Sequence, residues 1–249
     1  MFGVVLLSQF VGMTIAIGLA LVRGESVPAG TDALLCVAGG ILGGIGITAL
    51  YRGLAIGRMG IVAPVTGVLA AVIPVVAGIV LEGPPGVMVL AGIGLAILAV
   101  VLVSRVPDEG GGRAGLTEAL VAGVAIGSFG IVISGLSEGQ VFSSLTVIRL
   151  VQAGLVIALV LAMRAAWRPP GDAIPAIIVI GVLDMGGNSF YLLAVQTGAL
   201  AVASVLSALY PVATVILAAL VLHERVTRDH TVGIALAAAA IVLIGLGSA

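Results

Sequence analysis

Charge is what this chain has least of. Only 8% of its 249 residues are charged, against 61% hydrophobic. A soluble protein carries about 25% charged residues, and no soluble domain of this size has enough core to hide so much apolar surface. The shortage excludes a soluble fold and leaves an all-α integral membrane protein. Cysteine is reduced to Cys36, which rules out an internal disulfide and argues against a thiol-based metal site. The two histidines, His223 and His230, share one polar loop and are too few ligands for a His-rich metal centre. The net charge of −1 implies no nucleic acid or other polyanionic partner. Gly39, Gly40, Gly43 and Gly44 form GGILGG, but no Lys-Ser/Thr follows and no strand precedes, so a phosphate-cradling loop is excluded. Small residues at that spacing let helices approach closely instead. No metal and no cofactor is expected.

What the chain has in excess is apolar runs of roughly 20 residues, each long enough to cross ~30 Å of hydrocarbon at ~1.5 Å per residue. Nine spans can be drawn: Phe2–Val22, Ala33–Leu54, Val62–Leu81, Val87–Ser104, Leu116–Leu136, Phe142–Met163, Ala173–Val195, Ala199–Leu222 and Thr231–Gly247. The first has no basic segment before it and ends in Arg23-Gly24 rather than a small-residue cleavage motif, so it reads as a retained span. Pro64, Pro74 and Pro211 are expected to bend their helices. Arg105–Gly115, RVPDEGGGRAG, is charged and Gly-rich and reads as a linker.

The two sides of that linker resemble each other. At a shift of 140, Asp32, Ala33, Gly46 and Tyr51 meet Asp172, Ala173, Gly186 and Tyr191, and Val62, Ala63, Val65 and Leu69 meet Val202, Ala203, Val205 and Leu209. At a shift of 141, GIGLAILAVVL from Gly92 meets GIALAAAAIVL from Gly233; Phe2, Val11, Ile17 and Leu19 meet Phe142, Val151, Ile157 and Leu159 at a shift of 140. One pairing of low-complexity sequence means little; a constant offset over four spans means more. Five spans separate each residue from its counterpart, and an odd number of crossings reverses direction. The expected architecture is therefore nine transmembrane helices in two inverted-topology repeats of four and five, residues 1–104 and 116–249, with 105–115 between them. Leu116–Leu136 has no partner in the first repeat. Secondary transporters have this layout, with the solute site near the midplane.

The repeat, the segment GALAVASVLSALYPVATVILAALVLHERVT from Gly198 and its degenerate copy MGIVAPVTGVLAAVIPVVAGIVLEG from Met59 resemble the EamA-type drug/metabolite transporters. Tyr210-Pro211, followed by Glu224, is similar to that family's second-repeat ending. The resemblance implies ten helices in two inverted five-helix repeats around a central cavity, exporting or exchanging small metabolites. Measured against it, this sequence lacks the first helix.

Asp184 lies about eleven residues into its span, ~16 Å from that end. Acids within membrane spans are costly and functional by default. Asn188 and Tyr191 follow at i+4 and i+7 on the same face; their counterparts and that of the acid in the first repeat are Thr48, Tyr51 and Gly44. Arg149 sits ~10 Å from the start of the adjacent antiparallel span, and Asp184 ~14 Å from the same face. The depths match within the reach of an arginine, with Gln152 at i+3 from Arg149. Either Arg149 snorkels to the interface or it anchors a carboxylate, that of Asp184 or of a solute. Ser204 and Ser207 share one side of the eighth span. Arg149, Gln152, Asp184, Asn188, Tyr191, Ser204 and Ser207 are the candidate solute-binding residues, with Asp184 a candidate proton carrier. Glu82, Glu118, Glu138 and Glu224 fall at span ends and read as solvated.

The functional expectation is a multi-pass cell-membrane secondary transporter, not an enzyme, working by alternating access on a small metabolite or drug-like solute. Its expected partners are that solute, lipids and protons, with a homodimer compatible. The other readings are a helper subunit and a lipid-modifying enzyme; an enzyme would need clustered catalytic side chains. Orientation is contested. Arg52, Arg58, Arg105, Arg113, Arg164, Arg168, Arg225 and Arg228 crowd one face, which positive-inside bias would make cytoplasmic, whereas the resemblance implies the reverse.

Overall fold

The structure is a computed structural model that describes residues 2–56, 59–104, 114–164, 167–169, 171–221 and 227–247. The greater part of the linker, with Arg105 and Arg113, lies outside the described residues, as do Arg58, His223, Glu224 and Arg225.

In hydrocarbon no water is present to satisfy the backbone, so each apolar run closes its own hydrogen bonds as a helix. The helices are α1 (Phe2–Arg23), α2 (Thr31–Ile56), α3 (Met59–Glu82), α4 (Val87–Val103), α5 (Leu116–Ser134), α6 (Val141–Met163), α7 (Ile174–Thr197), α8 (Leu200–Ser207), α9 (Tyr210–Val221) and α10 (Arg228–Gly247). Among the described residues there is no strand. Among the same residues eight stretches are long and apolar enough to span a membrane, and α4 is a shorter apolar helix. This is an all-α membrane protein with about nine spans, as its sequence leads one to expect.

One expected span is not a single helix. The eighth breaks at Ala208–Leu209 into α8 and α9. Pro211 has no N–H to donate and its ring crowds the carbonyl of Ser207. The turn is closed by tighter bonds, Leu209 N–H to Leu206 O at 3.2 Å and Val212 N–H to Leu209 O at 2.9 Å. Pro64 and Pro74 lie inside α3 without dividing it. Elsewhere, ends follow familiar chemistry. Gly24, at φ 65°, ends α1: its N–H reaches Leu21 O at 3.2 Å and Glu25 N–H reaches Ala20 O at 3.0 Å, the paired bonds of a left-handed C-terminal cap.

The chain forms two compact units, residues 1–48 with 129–197, and residues 49–128 with 198–249. Each unit thus draws helices from both sides of the linker. In the first, α1 runs antiparallel to α6, with Gly12 beside Arg149 and Glu25 at the start of α6. Helix α2 runs parallel to α6. A Cβ on Gly40 would lie 2.5 Å from Val151 and one on Gly44 3.2 Å from Leu155, while Gly43 lies against Gln152. The GGILGG stripe is a packing surface, because lipid tails give apolar side chains no reason to associate and close backbone approach does.

In the second unit, α4 and α10 form an antiparallel pair around a core that includes Ala96, Ala99, Val100, Ala237 and Ala240. A Cβ on Gly92 would meet Ile244 at 2.7 Å and Ala240 O at 3.0 Å. Gly233 meets Val103 and lies 3.2 Å from Ala99 O in the same sense. Helix α3 packs on α8 through Gly78 and Ala201, and α5 on α3 through Gly123 and Leu69. Thr66 Oγ1 donates to Ala119 O at 3.2 Å.

Candidate functional site

The first unit brings together the two charged residues that the sequence places at matching depth. Arg149 Nη2 donates to Asp184 Oδ2 at 2.7 Å, and this is an ion pair between α6 and α7. Arg149 does not snorkel: its residue is 2% exposed. Its guanidinium turns toward α1, where Nη1 donates to Gln9 Oε1 at 2.7 Å. Nε finds no hydrogen-bond partner among the described residues. Room for the planar group is made by Gly12, whose Cα carries nothing to obstruct it; a Cβ there would lie 2.8 Å from Cζ and 2.9 Å from Nε. A buried arginine whose pair is removed costs several kcal/mol, so these contacts are what allow it to stay inside.

Asp184 differs from expectation in one respect. It reads as the most buried acid in the sequence, yet its side chain is 47% exposed. Its neighbours on α7 explain the difference: Leu183 and Phe190 are also exposed, and the buried face of the helix runs through Gly181, Met185, Ser189 and Leu192. Asp184 sits at the margin of that face, one side to Arg149 and the other open. Asn188, a turn further on, donates from Nδ2 to Asp184 O at 2.8 Å and to Asp184 Oδ1 at 3.2 Å.

Gln152 is buried on α6, 8% exposed, one turn from Arg149 and against Gly43 of α2. Tyr191 is half-buried on α7, on the side of Asp184 and Asn188. Ser204 and Ser207 belong to the second unit, where Ser204 is buried and Ser207 exposed. Sequence reasoning missed Gln9 and Gly12. The repeat carried a signal for both, since a shift of 140 sets Gln9 against Arg149 and Gly12 against Gln152.

Of the span-end acids expected to be solvated, Glu82 and Glu138 are exposed and Glu118 is partly buried; Glu25, outside that expectation, is enclosed. Glu25, whose side chain is 3% exposed, accepts from Phe142 and Ser143 N–H at 2.7 and 2.8 Å and pairs with Arg23 at 3.7 Å. Arg23 in turn lies over the Phe142 ring at 5.5 Å. Glu82 accepts from Leu200 N–H through both oxygens, at 3.1 and 3.0 Å. Each carboxylate answers the orphan N–H groups and positive end of a helix. Glu118 pairs with Arg52 at 3.6 Å. Among the described residues no cluster of His, Cys, Asp or Glu is placed to hold a metal.

These features define a class: a multi-pass helical membrane protein with a buried arginine ion-paired inside its spans. The family model of the EamA-like transporter family matches residues 113–246. The chain belongs to the EamA-like transporter family. Its sequence finds no match among curated proteins. A solved crystal structure, described only as that of a protein, superposes on all of this chain and 89% of its own with a TM-score of 0.81 at 16% identity. That likeness shows a shared fold.

Proposed function

We propose that the chain is a secondary transporter of the cell membrane that moves a small metabolite or drug-like solute by alternating access, with proton coupling through Asp184. Arg149, Gln152, Asp184, Asn188 and Tyr191, all of the first unit, form the solute site. The single observation that carries this reading is the Arg149–Asp184 pair at 2.7 Å between two membrane-spanning helices. A structural protein gains little from such a pair, because packed apolar residues of similar volume are commonly as stable. A transporter needs fixed polar groups at depth to replace the water a solute leaves behind. Membership of a transporter family supports the reading.

The inverted repeat is part of the proposal. Gly40 packs on Val151 and Ile148 O; Gly181 packs on Val11 and Ser8 O. These contacts interchange under the 140 shift to within one residue, and the Gly92 and Gly233 contacts interchange under 141, as two-fold related halves require.

The test is flux. Proteoliposomes are loaded with a water-soluble metabolite extract, and the solutes that leave are identified by mass spectrometry. Expected is a small set of compounds released faster than from protein-free vesicles. Release no faster than from empty lipid, for every compound, would end the transporter reading.

A further inference from the structure

The Arg149–Asp184 pair has one buried member and one reachable member. The arginine side chain is 3% exposed and the carboxylate 47%. Arg149 is walled by Gly12 and engaged at both terminal nitrogens, by Gln9 and Asp184. An approaching solute therefore meets acceptor oxygen before it can meet the cation. Asp184 Oδ2 is occupied by the guanidinium at 2.7 Å. Oδ1 accepts the 3.2 Å bond from Asn188, whose Nδ2 is shared with a backbone carbonyl at 2.8 Å. An ionised carboxylate offers about four lone-pair sites, more than the Arg149 and Asn188 donors fill.

A solute whose only charge is a carboxylate or phosphate meets the reverse situation. It approaches a like charge, and it can reach the guanidinium only by displacing Asp184. That leaves the acid unpaired within an apolar helix, which is the costly arrangement. A donor group bound at Oδ1 displaces nothing.

We infer that the site selects its solute by a hydrogen-bond donor, a protonated amine above all, offered to Asp184 Oδ1, and discriminates against solutes whose only charged group is anionic. The inference rests on the transporter reading of the same residues and names the chemical class that reading leaves open. Asn188 is then a specificity residue: it orients the carboxylate and lies one turn from the donor.

Two measurements test it. In the first, thermal unfolding of the intact purified protein is followed with ethanolamine, ethylene glycol and glycolate, three two-carbon probes that differ in the charge of one end. Ethanolamine should raise the midpoint at a concentration about tenfold below that of glycolate, the scale of one charge-assisted hydrogen bond. Asn188→Asp places a second carboxylate beside the first and should widen the gap. Glycolate equal to or better than ethanolamine overturns the inference, as does a preference that Asn188→Asp leaves unmoved. In the second, the compounds released from metabolite-loaded proteoliposomes are sorted by functional group. Enrichment of amines supports the inference. Release confined to carboxylates and phosphates overturns it and leaves the transporter reading standing. Absence of any release overturns the transporter reading, while the midpoint shifts still judge the preference for amines.

Discussion

Gln9 Oε1 accepts a hydrogen bond from Arg149 Nη1 at 2.7 Å, across the antiparallel pair α1–α6, from a residue 140 positions away. That separation is the offset of the sequence repeat. Under the proposed inverted repeat, two helices that touch through equivalent positions are related by an axis perpendicular to both, and positions 9 and 149 would be an equivalent pair that differs as acceptor and donor.

The first prediction concerns this bond. Gln9→Leu keeps most of the volume but leaves Nη1 without an acceptor. An orphaned buried donor costs about 1–3 kcal/mol, more when charged. The thermal midpoint of the purified protein should fall clearly below wild type. A midpoint equal to wild type would mean that Gln9 is not holding the guanidinium.

Gly12 gives the second. Gly12→Ala puts a Cβ 2.8 Å from Arg149 Cζ, too close without moving the guanidinium off Asp184. Gly18→Ala, on the same helix, has nothing within 4 Å and should be neutral or slightly stabilising, since alanine is the better helix former by about 1 kcal/mol. Gly12→Ala should therefore lower both transport rate and midpoint while Gly18→Ala lowers neither. Similar behaviour of the two variants would remove Gly12 from the site.

How much of this could be read in advance depends on the kind of signal. Spans come from composition, which the bilayer enforces residue by residue, and the helices fall where the apolar runs lie. The Arg149–Asp184 meeting came from depth arithmetic, because 1.5 Å of rise per residue is nearly invariant and antiparallel neighbours share a ruler. What did not come through depends on rotation about a helix axis. The half-exposure of Asp184 and the parting of buried Ser204 from exposed Ser207 are set by which neighbour covers which face, and almost wholly apolar helices leave no polar stripe to mark it. The break before Tyr210-Pro211 was legible only as a bend, since a proline alone does not say whether the chain kinks or starts again. Gln9 was hidden because one amide near a helix start resembles many others until its partner is known.

A third prediction addresses the repeat. Gly92→Ala and Gly233→Ala make equivalent intrusions, toward Ile244 and Val103 respectively. Overpacking of this kind costs about 1–3 kcal/mol, and the two variants should lower the midpoint to a similar degree. Gly94→Ala, with open space around it, serves as the reference. One severe variant and one harmless one would argue that the reciprocal contacts are coincidence rather than a two-fold relation.

The fourth prediction tests the carboxylate caps. Glu25→Ala removes the one oxygen, Oε2, that accepts from both Phe142 and Ser143 N–H at the start of α6, and Glu82→Ala removes the two oxygens that serve Leu200. Loss of an N-terminal cap costs about 0.5–2 kcal/mol. Glu25, the more enclosed of the two, should show the larger drop in midpoint. If either variant melts as wild type does, its carboxylate is a bystander at that helix end.

The last prediction concerns coupling. Asp184→Asn keeps the shape of the side chain and its contact with Asn188 while removing the charge that Arg149 faces. Taking one partner from a buried pair costs about 3–5 kcal/mol, so insertion and midpoint must be checked before flux is read. In folded protein, an amide can still accept from Arg149 but cannot take up and release a proton. Uphill transport driven by a proton gradient should therefore be lost. Exchange of pre-loaded solute, which needs the site but no net proton movement, should persist in part. Wild-type accumulation with unaltered pH dependence in Asp184→Asn vesicles would take the proton away from Asp184. Loss of exchange and accumulation together, in protein that folds normally, would instead assign Asp184 to holding the solute alone.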